Sequence, residues 1–241
     1  TENLDPLSTS YLAFLHAAFN HKTGRFRNFM SHGRQWLEEA GSEDSHARAL
    51  WALGTGAGRS RREGHRRLSA QIFERGLPVV LSFHSPRAWA FALLGIHEYL
   101  RRFDGDSRAR QVREDLAGRL LGLYNNCRTD DWRWFEDRLA YCNAVLPQAM
   151  LMCGQWLPNH EMTLVGLESL TWLTDLQRSG TNGRHFVPIG SNGFYVRGGE
   201  RARFDQQPVE AQATVSACLE AYRSTDDTHW QKEVRRAYEW F

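Results

Sequence analysis

The helical segments of this chain are joined by long and short connections in alternation, and that order restricts its folds more than any single motif. Apolar residues at helical spacing predict a helix over 11–19, ending at the polar His21-Lys22-Thr23-Gly24 turn, in a helical order that starts at Leu4. Ser42 caps the next, with Glu43 and Asp44 in its first turn, and the glycines at 54, 56 and 58 read as its stop. A third helix lies between Ser60 and Gly76, and Ser85-Pro86, a cap followed by a first-turn proline, opens a fourth toward Arg102. Further helices are predicted over 107–124, 134–155 with a kink at Pro147, 161–177, 209–222 and 228–241.

Connections out of the helices that begin at Ser42, Ser85, Trp134 and Gln207 are short, as at Gly58-Arg59-Ser60 and Asp104-Gly105-Asp106. Connections into them are long. Long loops in compact domains tend to carry function, so the asymmetry points to one working end, where the N-termini of one set of helices meet. Alanines such as Ala47, Ala49, Ala88, Ala92, Ala211 and Ala217 fall on that set, while Arg61, Arg66, Arg110 and Arg235 fall on the intervening helices. Small residues suit close-packed inner helices and arginines suit outer ones, so the expected fold is all-α, a ring of helical hairpins. The 241 residues, 41% hydrophobic, can bury one large core, and we expect one domain over 1–241.

Several classes find no support. A net charge of +2 gives no field for nucleic acid, and the one basic run, from Arg59 to Arg67, alternates with Glu63 and His65 as a solvated helix face does. No apolar run approaches the roughly 20 residues that span a bilayer, and no signal-peptide pattern begins the chain, so no membrane partner and a cytoplasmic location are expected. Cys127, Cys142, Cys153 and Cys218 form no CxxC pair and read as reduced thiols. No HExxH, GxSxG, GKS/T or GxGxxG accompanies a suitable context, so no metal and no cofactor are expected; Gly190-Ser191-Asn192-Gly193 and Gly198-Gly199 read as turns. Oligomeric state leaves no signal.

The densest polar stretch is Arg203-Phe-Asp-Gln-Gln-Pro-Val-Glu210-Ala-Gln-Ala213. Pro208 suits a first helical position, which makes Gln207 the cap and brings Asp205, Gln206 and Glu210 to one helix mouth. Glu210 there serves either as a carboxylate of the site or as a capping-box residue reaching back to the Gln207 N–H. Trp132, Glu136, Asp137, Tyr141 and Asn143 combine aromatic faces with carboxylate and amide, the equipment for a sugar's apolar face and its hydroxyls. On one helix, only one of Glu136 and Asp137 would point at the pore. Glu43, Asp44 and His46 lie at the start of the Ser42 helix, where the two carboxylates equally suit the helix dipole and the histidine equally fills space.

Ser42-Glu-Asp-Ser-His-Ala-Arg-Ala-Leu-Trp-Ala-Leu-Gly54, Trp132-Arg-Trp-Phe-Glu-Asp-Arg-Leu-Ala-Tyr-Cys-Asn-Ala-Val-Leu-Pro147 and the 204–213 segment, in that order, resemble an (α/α)-toroid domain of bacterial glycosyltransferase-like and glycosidase-like proteins. The resemblance implies carbohydrate handling and a six-hairpin ring. Little more than four hairpins are legible, ending inside a helix at Tyr238-Glu-Trp-Phe241, so either residues outside the chain complete the ring or the helix count is low. By analogy with such toroids the expected activity is glycoside hydrolysis with inversion on a mono- or oligosaccharide. Asp137 would be the acid and Glu210 the base, with Asp44 able to replace either. Arg27, Trp36, Glu43, His46, Arg87, Trp132, Glu136, Tyr141, Asn143, Asp205, Gln206 and Gln207 would bind the substrate. The alternatives are a sugar epimerase or isomerase, which needs a base and an acid on one carbon and which His46, His84 and His185 reaching one pocket would favour, and a noncatalytic carbohydrate-binding domain attached to a glycosyltransferase.

Overall fold

The computed structural model describes residues 5–179 and 183–241; Leu4, the expected start of the helical order, lies outside them. The described chain is mostly α-helical and divides into two compact units, Thr1–Leu116 and Ala117–Phe241. In the first, α1 (Asp5–Ala18) leads into an antiparallel turn of β1 (Phe19–Asn20) and β2 (Arg25–Phe26), with Phe19 opposite Phe26. Then come α2 (Glu43–Arg59), α3 (Glu63–Gly76), a 3-10 helix over Leu77–Ser82 and α4 (Pro86–Leu100), and α5 (Ser107–Cys127) crosses the division. Ser42 and Ser85 cap as expected: their hydroxyls accept from the Ser45 N–H at 3.0 Å and the Ala88 N–H at 3.4 Å.

Helices α2 and α4 run in the same direction, with Glu43 beside Ser85 at their N-termini and Gly58 beside Glu98 near their C-termini. The glycines expected to stop α2 do not stop it. Gly54 and Gly58 lie against the α4 backbone, where a methyl group on Gly54 would strike the Gly95 carbonyl oxygen and one on Gly95 would sit 2.7 Å from the Leu50 carbonyl oxygen. Lack of a Cβ serves backbone approach here, not a left-handed cap. At the far end, Arg59 Nη2 donates to Glu98 Oε1 at 2.6 Å.

The second unit contains β3 (Arg138–Leu139), α6 (Val145–Trp156), α7 (His160–Leu176), β4 (Arg178–Ser179), β5 (His185–Phe186), β6 (Tyr195–Val196), α8 (Pro208–Thr225) and α9 (His229–Tyr238). The helix expected over 134–155 starts only at Val145. Upstream, Arg138 and Leu139 pair with Val196 and Tyr195, and Cys142 takes φ 49°, which ends any continuous helix. Pro147 is therefore the third residue of α6, where first-turn N–H groups have no intrahelical acceptor, and no kink is needed. Helices α6 and α8 also share a direction: Glu210 meets Cys142 and Asn143 at one end, and Gln155 meets Glu220 and Ser224 at the other.

Candidate functional site

At the N-termini of α2 and α4 a carboxylate joins two helix starts. Glu43 Oε2 accepts from the His84 N–H at 2.9 Å and the Ser85 N–H at 2.8 Å, while Oε1 lies 3.7 Å from His84 Nδ1. The His84 side chain is 93% exposed and that of Glu43 only 28%, so the imidazole faces solvent from a fixed carboxylate. Arg25 stands beside it, donating to the Gly41 carbonyl oxygen at 2.6 Å with its guanidinium 4.8 Å from the Phe83 ring. Burial lowers the Arg25 pKa and the Glu43 charge opposes that shift.

The other expected residues of this unit are held as follows. Asp44 accepts from Arg48 Nε at 2.7 Å, and that guanidinium lies 4.0 Å from the Phe91 ring. Arg27 lies 5.8 Å from the Trp36 ring and pairs with Glu39 at 3.4 Å, and Trp36 meets Phe14 at 5.9 Å. Arg87 is buried in the first turn of α4. His46, expected to bind substrate, is fully buried instead. Its Nδ1 accepts from the Phe26 N–H at 3.3 Å and its Nε2–H donates to the Gly76 carbonyl oxygen, 3.0 Å away. Burial lowers its pKa to about 4, with the Gly76 bond opposing and Arg25 adding to the shift, so the ring is neutral and both nitrogens are committed to backbone.

In the second unit, Glu210 lies in the first turn of α8 behind the Gln207 cap, as expected, and its carboxylate meets the turn before α6. Its carboxylate takes the Cys142 N–H, the Asn143 N–H at 3.3 Å and Asn143 Nδ2 at 2.9 Å. Asn143 also donates to the Ala140 carbonyl oxygen at 3.0 Å and accepts from the Ala140 N–H at 2.9 Å. Glu210 thus clamps the turn before α6 and is 2% exposed. Asp137 is different: its side chain is 82% exposed and lies 3.6 Å from Arg197 Nη1 and 3.6 Å from Cys127 Sγ.

Trp132 is buried, donates from Nε1 to the Glu136 carbonyl oxygen at 2.8 Å, and packs between Trp172 and Tyr195 at 5.0 and 5.3 Å. It is core, with Arg197 6.0 Å above its ring. Glu136 and Tyr141 are half-buried in the non-helical stretch before α6. Asp205 is exposed at φ 57° and accepts through its backbone oxygen from Ser191, Gln206 accepts from Trp240 Nε1 at 3.4 Å, and Gln207 is exposed. The six expected residues from Arg27 to Arg87 therefore fall in the first unit and the nine from Trp132 to Glu210 in the second. Arg25 carried no sequence signal beyond its alternation with Arg27 around Phe26. Of the three histidines whose meeting in one pocket would favour an epimerase, His46 and His84 belong to the first unit, and His185 lies exposed on β5 in the second.

No family model and no curated protein matches the chain. A solved structure of a sugar epimerase from a ruminal bacterium is similar to it, with a TM-score of 0.58 at 11% identity over 95% of this chain and 82% of that one. At that identity the likeness concerns fold, and together with the helical hairpins it assigns the chain to the all-α, toroid-type class expected from the sequence. Among the described residues no helix is long and apolar enough to cross a membrane.

Proposed function

We propose that this chain is a carbohydrate-active protein working as a sugar epimerase or isomerase, with the start of α2 and α4 as its reactive end. The observation that carries this reading is the exposed His84 imidazole beside a Glu43 carboxylate that two backbone amides hold in place. Imidazole exchanges protons near neutral pH, and a carboxylate at its ring nitrogen orients it. His84 would take a proton from the carbon next to the carbonyl of an open-chain sugar, and protonation from the opposite face, by water or a second side chain, inverts that carbon. The fold likeness to a sugar epimerase supports the same choice. Hydrolysis draws less support, because Glu210, its expected base, already accepts from three amide donors.

The test is incubation with a panel of reducing sugars in D2O, followed by proton NMR. Deuterium should enter at the inverted carbon, and His84→Asn should remove that exchange while circular dichroism stays unchanged. Absence of exchange with every sugar sinks the epimerase reading. Release of reducing ends from oligosaccharides, lost in Asp137→Asn, would favour the hydrolase instead, and binding without turnover would favour a carbohydrate-binding domain.

A further inference from the structure

The segment between β5 and α8, with Ser179 of β4, lines a half-open cavity of about 780 Å3 that the proposed reaction does not use; Asn192, Glu200, Arg201, Arg203 and Phe204 are among its lining residues. Two arms of backbone build it. Gly190 N–H donates to the Ala202 carbonyl oxygen at 2.9 Å, Ala202 N–H to that of Phe194 at 2.8 Å, and Ser191 to that of Asp205 through its N–H at 3.1 Å and hydroxyl at 2.9 Å. The arms touch so closely that a methyl group on Gly190 would strike the Phe204 carbonyl oxygen. Phe194 and Asp205 hold left-handed φ values of 58° and 57° inside this bonding, so the cavity wall has a determined shape.

The side chains on that wall are unevenly charged. Arg201 donates to the Leu176 carbonyl oxygen, and among the described residues neither Arg201 nor Arg203 forms an ion pair, although Glu200 is close in sequence. Arg201 and Arg203 both line the cavity, which puts two guanidinium-bearing side chains at one site, and in keeping with that placement burial and then the Arg203 charge lower the Arg201 pKa. Phe204, 76% exposed, offers an unused aromatic face at the same cavity. An anion between the arginines would relieve their repulsion through charge-assisted hydrogen bonds, and an aromatic ring accepts the apolar face of a pyranose.

We propose that this cavity binds a sugar bearing an anionic group, a phosphate or a carboxylate, with Arg201 and Arg203 on the anion, Phe204 on the ring, and Asn192 and Glu200 on hydroxyls. That the ligand is a sugar rests on the carbohydrate reading above; that it is anionic rests on the arginine pair alone.

Calorimetry with glucose, glucose 6-phosphate, glucuronate and inorganic phosphate, at one ionic strength, tests both parts. At least one anionic sugar should bind about tenfold tighter than glucose and than inorganic phosphate, and its identity distinguishes phosphate from carboxylate. Arg203→Gln, at an exposed position, should erase that preference with unchanged circular dichroism, and Phe204→Ala should weaken sugar binding while sparing inorganic phosphate. Equal affinity for glucose and both anionic sugars overturns the site, as does a preference that survives Arg203→Gln. Inorganic phosphate binding as tightly as glucose 6-phosphate overturns the sugar half. Binding is read without turnover, so a failed deuterium exchange leaves this result standing.

Discussion

Glu43 and Glu210 occupy the same place in two different helix pairs. Each lies in the first turn of its helix, and each accepts from two successive backbone N–H groups just before a parallel neighbour, at His84 and Ser85 or at Cys142 and Asn143. Their surroundings separate them. Glu210 is closed in by the Asn143 amide, whereas Glu43 keeps one oxygen toward an exposed imidazole. Glu210 fastens its turn from a buried position, and Glu43 fastens the start of α4 from a position nearer solvent. Both helix pairs are joined by polar groups at their two ends, but α2 and α4 also meet backbone to backbone through glycine, whereas Gly154 of α6 packs on Thr163 of α7.

The sharpest way to break this comparison is truncation of the two carboxylates. Glu210→Ala orphans three buried amide donors and should cost about 3–5 kcal/mol, whereas Glu43→Ala, nearer solvent, should cost about 1–2 kcal/mol. Urea unfolding measures both, and equal losses would remove the distinction. Gly54→Ala should follow, at about 3 kcal/mol in the same assay, because the added methyl group must push α2 off α4.

Acid should weaken the first unit through His46. Its folded pKa of about 4 lies below the unfolded value near 6.5, so the unfolded chain binds the proton more readily in that window. Stability from this group is complete above pH 6.5 and falls, by on the order of 3 kcal/mol, as the pH drops to 4. Unfolding midpoints of wild type and His46→Gln across that range should converge at the acid end. The smallest effects concern caps. Ser85→Ala should lose about 1 kcal/mol, and Gln207→Ser, where the cap side chain makes no bond, should gain about 0.5–1 kcal/mol in thermal unfolding.

Local chemistry made the helix starts legible. Ser42, Ser85-Pro86 and Gln207-Pro208 act within three residues of themselves, and each begins a helix where the sequence places it. The 134–144 stretch misled because its partners are distant: β3 pairs with β6, Glu210 reaches back to Cys142 and Asn143, and Trp132 packs on Trp172 and Tyr195. A helical spacing of apolar residues was present there without the backbone to use it. The candidate residues were likewise legible by type and not by availability. His46 and Glu210 have the right chemistry, yet burial against backbone amides and carbonyls uses it up.

The Gly54–Gly95 contact sets a limit on motion. With backbone touching backbone, α2 and α4 have no clearance for one to slide or roll over the other without breaking contact along their length. The two amides that hold Glu43 come instead from the segment that follows the 3-10 turns of Leu77–Ser82 and the extended Phe83, so the geometry at Glu43 is set by that segment against a fixed helix pair.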